Sequence, residues 1–405
     1  MKLKKKIRVA HICFSDYRGG ASIAASRLNI ALNKYGISSK LFVIDKNNLN
    51  SEKLNDSILD KLYYFFFRLF EIVLRKTVYI KSKTIHSFNF FNTNVRKKIS
   101  MFKPDILHLH YIASNTISLK EINKIDLPIV WTLHDLWPIL PTSHLEYNEI
   151  KNRKKNFLEN YIDDKVYNLK KNLNINTFIA PSTWVKSRVN LNKDFKKINT
   201  FKVANTLDTN FFKKKNNNYS SKSLNIGFCV DGLSQYHKGF DLFSKIIKKF
   251  SQSSKTKTTI HFLGDKNFKE KLNLNFEQKK NIKIIQYPKT RKKVELLKFY
   301  SNLDILLVTS RTETFCQVAS EAMSCSVPIV AFKIGGLIDI VSSKKLGRLI
   351  KPFDIKSFSE VLTKLSKKKK TINKMSFNCR NHAIKNFDYK IISNKTLKIY
   401  KHLLH

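Results

Sequence analysis

The densest chemistry in the sequence lies in one stretch, SRTETFCQVASEAMSCSVPIVAFKIGG (310–336). A buried strand ends at Ser310, a Thr-Glu-Thr turn supplies capping groups, and the pattern predicts a helix starting near Phe315. A helix that opens directly after a strand presents unsatisfied backbone N–H groups and the positive end of its dipole, a ready phosphate site. Glu313 sits in the turn, and seven residues separate it from Glu321. The expected place of Glu321 is about two turns into the helix, roughly 10 Å from its start. One carboxylate can then address a sugar at the helix mouth while the other takes the hydroxyls of a ribose. A buried carboxylate in a helix otherwise apolar on that side, VASEAM, needs such a partner. The alternative is structural: Glu313 caps the helix and Glu321 makes a salt bridge.

The elements that must hold this stretch alternate along the chain. IRVAHICF (7–14) reads as a buried strand, followed by Gly-Gly and by SIAASRLNIALNKYG (22–36), a helical pattern that stops on Gly36. KLFVI (40–44), DILHLH (105–110), PIVWTLH (128–134) and TFIAPS (177–182) continue the series. The polar segment FFKKKNNNYSSKSL (211–224) has no periodicity and reads as a loop or linker. A second series follows with LNIGFCV (224–230), TTIHFLG (258–264), IKIIQYP (282–288), DILLVTS (304–310) and VPIVAF (327–332). Strand–helix alternation predicts an α/β protein with parallel sheets covered on both faces. The expected organisation is an N-terminal domain over 1–204, a linker over 205–224, a second domain over 225–386 and a C-terminal helix over 387–405. Ligands of such sheets bind outside the carboxyl ends of the strands.

Composition narrows the partners. With 76 Lys and Arg against 30 Asp and Glu, the net charge of the 405 residues is +46. This excludes an acidic solvating chain and points to an anionic partner: nucleic acid, a membrane face or a phosphate-bearing substrate. The charge is spread along the whole chain, as a bias in composition would also produce. The five cysteines are odd in number and scattered, which argues against a disulfide framework or a zinc cluster and for a reducing compartment. The short, broken apolar stretch after the basic N-terminus does not read as a signal peptide. The most apolar run, Leu62 to Leu74, contains Arg68 and Glu71 and falls short of a membrane span. A cytoplasmic protein is expected, with peripheral attachment to the inner face of the cell membrane as an option. The segment SILDKLYYFFFRLFEIVLRKTVYIKSK (57–83) bears on that option. It reads either as a basic amphipathic helix for a membrane interface or as a core-packing helix of the first domain.

Glu313-x7-Glu321, then Ala-Met, a small residue, Val-Pro-Ile-Val-Ala and Gly-Gly, resembles the donor-binding signature of the family 4 glycosyltransferases with the GT-B fold. Further segments resemble the family in the same order: YRGGAS after the first strand, VANTLDTNFF (203–212) at the linker, HKGFDL (237–242) at the first helix of the donor domain and GRLIKPFD (347–354) late in the chain. LHDLWP (133–138) resembles a subgroup of capsule and exopolysaccharide (colanic-acid-type) transferases. The resemblance implies two Rossmann-like doubly wound domains facing a central cleft, the N-terminal one on the acceptor side. It also implies a retaining, hexosyltransferase-type enzyme that uses a nucleotide-diphosphate sugar as co-substrate, needs no other cofactor and no metal, and acts on a saccharide or lipid-linked saccharide in surface polysaccharide biosynthesis.

Residue by residue, the resemblance makes Lys238 the cation that stabilises the departing diphosphate. Gly19 and Gly20 permit close backbone approach to phosphate. His134, at a strand end beside Asp135 and Trp137, would lie near the donor sugar. Glu313 would hold donor-sugar hydroxyls, Phe315, Cys316 and Gln317 would offer backbone N–H groups, and Glu321 would take the ribose. The sequence departs from the family pattern in GFCVDGLSQYHKG, which lacks the usual Arg, so that His237 or Arg311 stands as its substitute. Thr206 replaces the linker glycine, and Ser324, Cys325 and Ser326 precede the proline. A non-enzymatic binder of an anionic polymer is the second reading. It would call for clustered cations with interleaved aromatics, which the diffuse charge does not supply, and nucleic acid is not an expected partner. A phosphorylase on the same fold is the third.

Overall fold

In parallel sheets covered on both faces, strands are near-continuous apolar runs, and such runs form the frame of this chain. The computed structural model describes residues 6–80, 82, 84–93, 95–146, 154–214 and 223–404. The predicted linker over 211–224 falls largely on 215–222, outside the described residues. The chain divides into two compact units, residues 1–206 with 389–405, and residues 207–388.

The first unit holds a seven-stranded sheet in the order β3-β2-β1-β4-β5-β6-β7. Its strands are β1 (Arg8–Ser15), β2 (Ser38–Asp45), β3 (Ser51–Lys53), β4 (Ile106–Leu109), β5 (Ile129–Thr132), β6 (Thr177–Ala180) and β7 (Asn199–Lys202). The second unit holds six strands in the order β10-β9-β8-β11-β12-β13. These are β8 (Leu224–Cys229), β9 (Thr258–Gly264), β10 (Ile282–Pro288), β11 (Ile305–Val308), β12 (Ile329–Phe332) and β13 (Gly347–Ile350). Every ladder between neighbours is parallel. The strand order reverses direction between β1 and β4 and again between β8 and β11, and ligands of doubly wound sheets bind at such switch points.

The central strands match the apolar runs of the sequence. β4, β5, β6, β11 and β12 are buried at every position. The edge strands β3 (SEK), β7 (NTFK) and β13 (GRLI) were not expected, because a half-exposed edge needs no apolar run. The predicted helix over 22–36 is Gly19–Lys34, so Gly19 and Gly20 are its first two residues rather than a free loop. The last helix, Tyr389–Leu404, returns to the first unit, where Ile392, Ile399 and Tyr400 pack with Val9, Leu28 and Leu32.

The 57–83 segment corrects one expectation. It forms the helix Ile58–Val78, capped by Ser57, whose hydroxyl accepts from the Asp60 N–H at 3.0 Å. The core-helix reading required Phe65, Phe66 and Phe67 to be buried. Phe65 and Phe66 are instead 60% and 63% exposed, with Leu62, Leu69, Phe70 and Val73 beside them in solvent. Only Phe67 turns in, stacking on Phe91 at 4.0 Å. The inward side carries Tyr64, whose hydroxyl donates to the Ser114 carbonyl, and Glu71, which accepts from the Phe88 and Asn89 N–H groups. Lys81 and Lys83, at the end of that segment, lie outside the described residues. Among the described residues no helix is long and apolar enough to cross a membrane.

Candidate active site

In the second unit, β11 delivers the chain to Thr309 and Ser310 at its carboxyl end. Lys238 reaches the same place from a 3-10 turn, Tyr236–Lys238, closed by Gly239 at φ +65°. A side chain at 239 would put Cβ 2.0 Å from the Thr309 carbonyl, so glycine is what lets this turn sit against the strand end. Thr309 Oγ1 donates to the Gly239 carbonyl at 2.9 Å and fastens the contact.

That packing brings two of the sequence-identified residues together. Lys238 Nζ donates to Glu313 Oε1 at 2.8 Å, and Ser310 Oγ donates to the same oxygen at 2.8 Å. Burial pushes the Glu313 carboxyl up, but the Lys238 charge and the two hydrogen bonds outweigh it and hold the group below the ordinary carboxylate range. Burial pulls the Lys238 ammonium down, and the Glu313 charge more than restores it. Both groups are therefore charged. The Gly335-Gly336 pair closes over this turn, because a Cβ at 335 would fall 1.9 Å from the Glu313 carbonyl, and the Gly336 N–H donates to that carbonyl at 2.8 Å.

The helix that was expected near Phe315 is Gln317–Ser324. Phe315 is buried with its ring edge-on to Phe387, and Cys316 is the left-handed N-cap residue at φ +92°. Burial pushes the Cys316 thiol up, so it stays protonated. Glu321 is four residues into the helix, about 6 Å at 1.5 Å per residue, which shortens the expected 10 Å. It is 4% exposed, and Tyr300 donates its hydroxyl to Glu321 Oε2 at 2.7 Å. Tyr300 carries no motif and was missed.

The two residues read as substitutes for the missing arginine lie at the same turn, His237 within it and Arg311 bonded to it. Arg311 is committed to Asp241 through two hydrogen bonds of 2.8 and 2.7 Å, and also donates to the Tyr236 carbonyl and covers the Tyr236 ring. His237 is held neutral near neutral pH, its pKa lowered to about 4 by burial and the neighbouring Lys238. Ser324, where the family pattern has a small residue, donates to the Phe212 carbonyl at 2.7 Å. Arg380, which the sequence did not single out, binds the carbonyls of Thr209, Phe212 and Ser324. These two side chains tie the start of the second unit to the end of the helix that carries Glu321.

In the first unit, Gly19 opens its helix at φ +77° with no atom within 4 Å of a built Cβ, leaving room for a ligand to approach the helix N-terminus. Asp16, one turn earlier, is spent on the Asn47 and Asn48 N–H groups and the Ser51 hydroxyl. His134 follows β5, and its Nε2 lies 2.9 Å from His110 Nδ1. Asp135 beside it accepts from the Trp137 N–H and pairs with His144, which in turn meets Ser87. Lys170 is buried beneath this loop and donates to the carbonyls of Trp137, Leu140 and Pro141. A narrow pocket lined by His110, His134, Thr132, Asn205 and Thr206 opens at this edge. His11, His108 and His110 offer nitrogen atoms within 4.8 Å of one another. Both nitrogens of His108 and of His110 already carry hydrogen bonds within the protein, which disfavours ligation of a metal.

Family models match the chain in sequence, Glycosyltransferase Family 4 over residues 19–211 and Glycosyl transferases group 1 over residues 211–382. Solved structures share the architecture. Sucrose-phosphate synthase from Thermosynechococcus elongatus superposes with a TM-score of 0.68 at 15% identity, covering 98% of this chain and 99% of that one. Anabaena HepE in complex with UDP and glucose gives 0.67 at 16% identity, covering 98% and 99%. With both halves and their order matched, the molecule is a glycosyltransferase of the GT-B fold. An uncharacterised 41.2 kDa protein in the cps region of Klebsiella pneumoniae is 26% identical over 80% of this chain and 89% of its own length. An uncharacterised glycosyltransferase of Methanocaldococcus jannaschii is 26% identical over 58% of each chain. The chain belongs to the family 4 glycosyltransferases. An enzyme therefore displaces the reading as an inert binder of anionic polymers.

Proposed function

We propose that the protein moves a sugar from a nucleoside-diphosphate sugar, with retention of configuration, onto a saccharide or lipid-linked saccharide in surface polysaccharide assembly. The observation that carries this reading is the charged Lys238–Glu313 pair in the turn that leads into the helix Gln317–Ser324. A compact ammonium and a helix N-terminus are the groups that stabilise a departing diphosphate, and a paired carboxylate is an acceptor for sugar hydroxyls. In this reading Lys238 takes the leaving charge, and Glu313 holds the donor hydroxyls. The N–H groups of residues 315–317 and the helix start at Gly19 and Gly20 meet phosphate oxygens. Glu321 addresses the ribose and His134 the sugar. The bond from the anomeric carbon to the phosphate oxygen breaks, and the acceptor oxygen bonds to that carbon on the same face. The acceptor proton passes to the departing phosphate. No protein nucleophile and no resident metal or other cofactor enters.

The complexes of Anabaena HepE with UDP and glucose make uridine diphosphate sugars the first donors to try, and the Klebsiella relative in a cps region supports a capsule-type product. A lipid-linked acceptor would place the enzyme at the inner face of the cell membrane. The exposed apolar side of Ile58–Val78, with Lys61, Arg68 and Lys76 exposed on the same helix, suits an anionic membrane surface. Proton NMR of the glycoside formed from UDP, GDP and ADP sugars with oligosaccharide acceptors tests the reaction. An α-linked product from an α-linked donor is expected, and a β-linked product would refute retention.

A further inference from the structure

A pocket of 550 Å³ runs along β2 in the first unit and shares no residue with the site proposed above. The pairing of β1, β2 and β3 puts Arg8, Lys40, Phe42 and Glu52 on one face of the sheet. The helix Val95–Phe102 packs on that face through Phe102, whose ring meets Phe42 edge-on at 6.0 Å. The floor of the pocket is therefore aromatic. Two cations lie over it. The Arg8 guanidinium is 4.6 Å from the centre of the Phe102 ring and its Nε donates to the Phe102 carbonyl at 3.0 Å, and Lys40 Nζ is 5.2 Å from the same ring centre.

Charge is left over in this lining. Lys46, Lys53 and Lys98 join Arg8 and Lys40, against the two carboxylates of Glu52 and Asp56, a surplus of three positive charges. Lys40 pairs with Glu52, and Lys98 pairs with Asp56 at 2.5 Å while donating to the Lys53 carbonyl at 3.1 Å. Lys46 and Lys53 have no acidic partner among the described residues. The rim is apolar. Met101 of the lining is exposed, and two residues past Asp56 the chain enters the helix Ile58–Val78 with Ile58 and Leu59 in solvent. A free anion has no use for an aromatic floor and an apolar rim, and an apolar ligand has none for the surplus cations. A phosphate carried on an apolar body uses both.

We propose that this pocket takes the phosphate of an anionic membrane lipid, with Lys46 and Lys53 on its oxygens and the glycerol end over the Phe102 ring, while the apolar side of Ile58–Val78 lies in the same membrane interface. The choice of a lipid rests on the membrane reading of the function proposed above, whereas the cationic pocket rests on its lining alone.

The test is flotation of the full chain with vesicles of phosphatidylcholine alone and of phosphatidylcholine with about one third phosphatidylglycerol. Wild type should bind the anionic vesicles and not the neutral ones. In K46Q/K53Q the partition should fall about thirtyfold, since each lysine near an anionic surface is worth about fivefold. K245Q/K249Q removes the same charge from exposed lysines of the second unit and should stay within about threefold of wild type. An equal loss in the two variants would overturn the pocket, because the diffuse charge of the chain would then account for binding. E52Q/D56N takes both carboxylates out of the lining and should strengthen binding; unchanged or weaker binding would also overturn the pocket. About micromolar binding of inorganic phosphate without vesicles, lost in K46Q/K53Q, would assign the pocket to a soluble anion and overturn the lipid. Wild type that binds neither vesicle would remove the membrane reading and this proposal with it. A loss in F65S/F66S with none in K46Q/K53Q would remove the pocket alone. Glycosyl transfer to a soluble acceptor decides the proposed function separately from all of these.

Discussion

Removing the Lys238 ammonium should separate the cost in stability from the cost in catalysis. In Lys238→Ala, Glu313 keeps the 2.8 Å hydrogen bond from Ser310 but loses its counter-charge. Breaking a fully buried pair from one side costs about 3–5 kcal/mol. The Lys238 side chain is 28% exposed and water reaches it, so a discounted loss of about 2 kcal/mol is expected. Glu313→Gln keeps the shape and a neutral acceptor, and should cost about 1 kcal/mol. In the double variant the stranded carboxylate is gone, and its loss should be smaller than the sum of the singles by about 1–2 kcal/mol. Turnover should behave differently. Lys238→Ala removes charge stabilisation that grows toward the transition state and should lower kcat by about a hundredfold or more. Glu313→Gln in the same chain should not restore it. Urea denaturation of the four proteins gives the stabilities, and release of nucleoside diphosphate gives kcat. Additive stabilities would show that the 2.8 Å pair carries no coupling. Wild-type turnover in the double variant would show that Lys238 serves only to neutralise Glu313.

Three further outcomes are expected. Gly239→Ala forces a Cβ to within 2.0 Å of the Thr309 carbonyl at φ +65° and should destabilise the second unit by about 1–3 kcal/mol; Gly232→Ala, whose nearest neighbour is 3.9 Å away, should be near neutral, and equal melting temperatures of the two variants would contradict the packing argument. The histidines should make the fold acid-sensitive: His11 and His134 titrate far lower in the fold than their unfolded value of about 6.5, so stability is fully present above that value and is lost as pH falls below it, by about 2 kcal/mol per histidine at pH 5. Urea midpoints that stay level from pH 7 to 5 would show that the folded imidazoles accept protons. Phe65→Ser with Phe66→Ser should leave the melting temperature close to wild type because both rings are in solvent, and should reduce salt-sensitive binding to anionic vesicles; undiminished co-sedimentation of the folded variant would exclude this helix as the contact.

The parallel sheets were legible because buried strands such as ILLV and IVAF have no solvent face and therefore no polar residue to blur the run. Lys238 and Glu313 were legible for a different reason. Gly239 follows Lys238 in sequence, and Gly335-Gly336 of the same long motif as Glu313 pack against its turn; none of the three leaves room for a Cβ, and those glycines make the motifs visible. Glu321 was visible but misplaced, since the helix starts two residues later than its capping pattern suggested, after a left-handed Cys316. Tyr300 and Arg380 act through contacts 21 to 171 residues away in sequence, so no local spacing betrays them. The histidine cluster was hidden because His11, His108 and His110 sit within apolar strand runs, where each reads as one polar interruption until the register of β1 and β4 brings them together. The exposed face of Ile58–Val78 could not be read from composition, because an apolar aromatic helix has the same pattern whether it faces a core or a bilayer.

Calorimetric titration of wild type with UDP, GDP and ADP sugars tests the central claim most directly, repeated with Glu321→Gln and Lys238→Ala. At least one nucleotide sugar should bind wild type with measurable heat, and each substitution should weaken it, Glu321→Gln by about tenfold or more through loss of a charged hydrogen bond. Binding that is unchanged in both folded variants would contradict a donor site built on Lys238, Glu313 and the helix Gln317–Ser324.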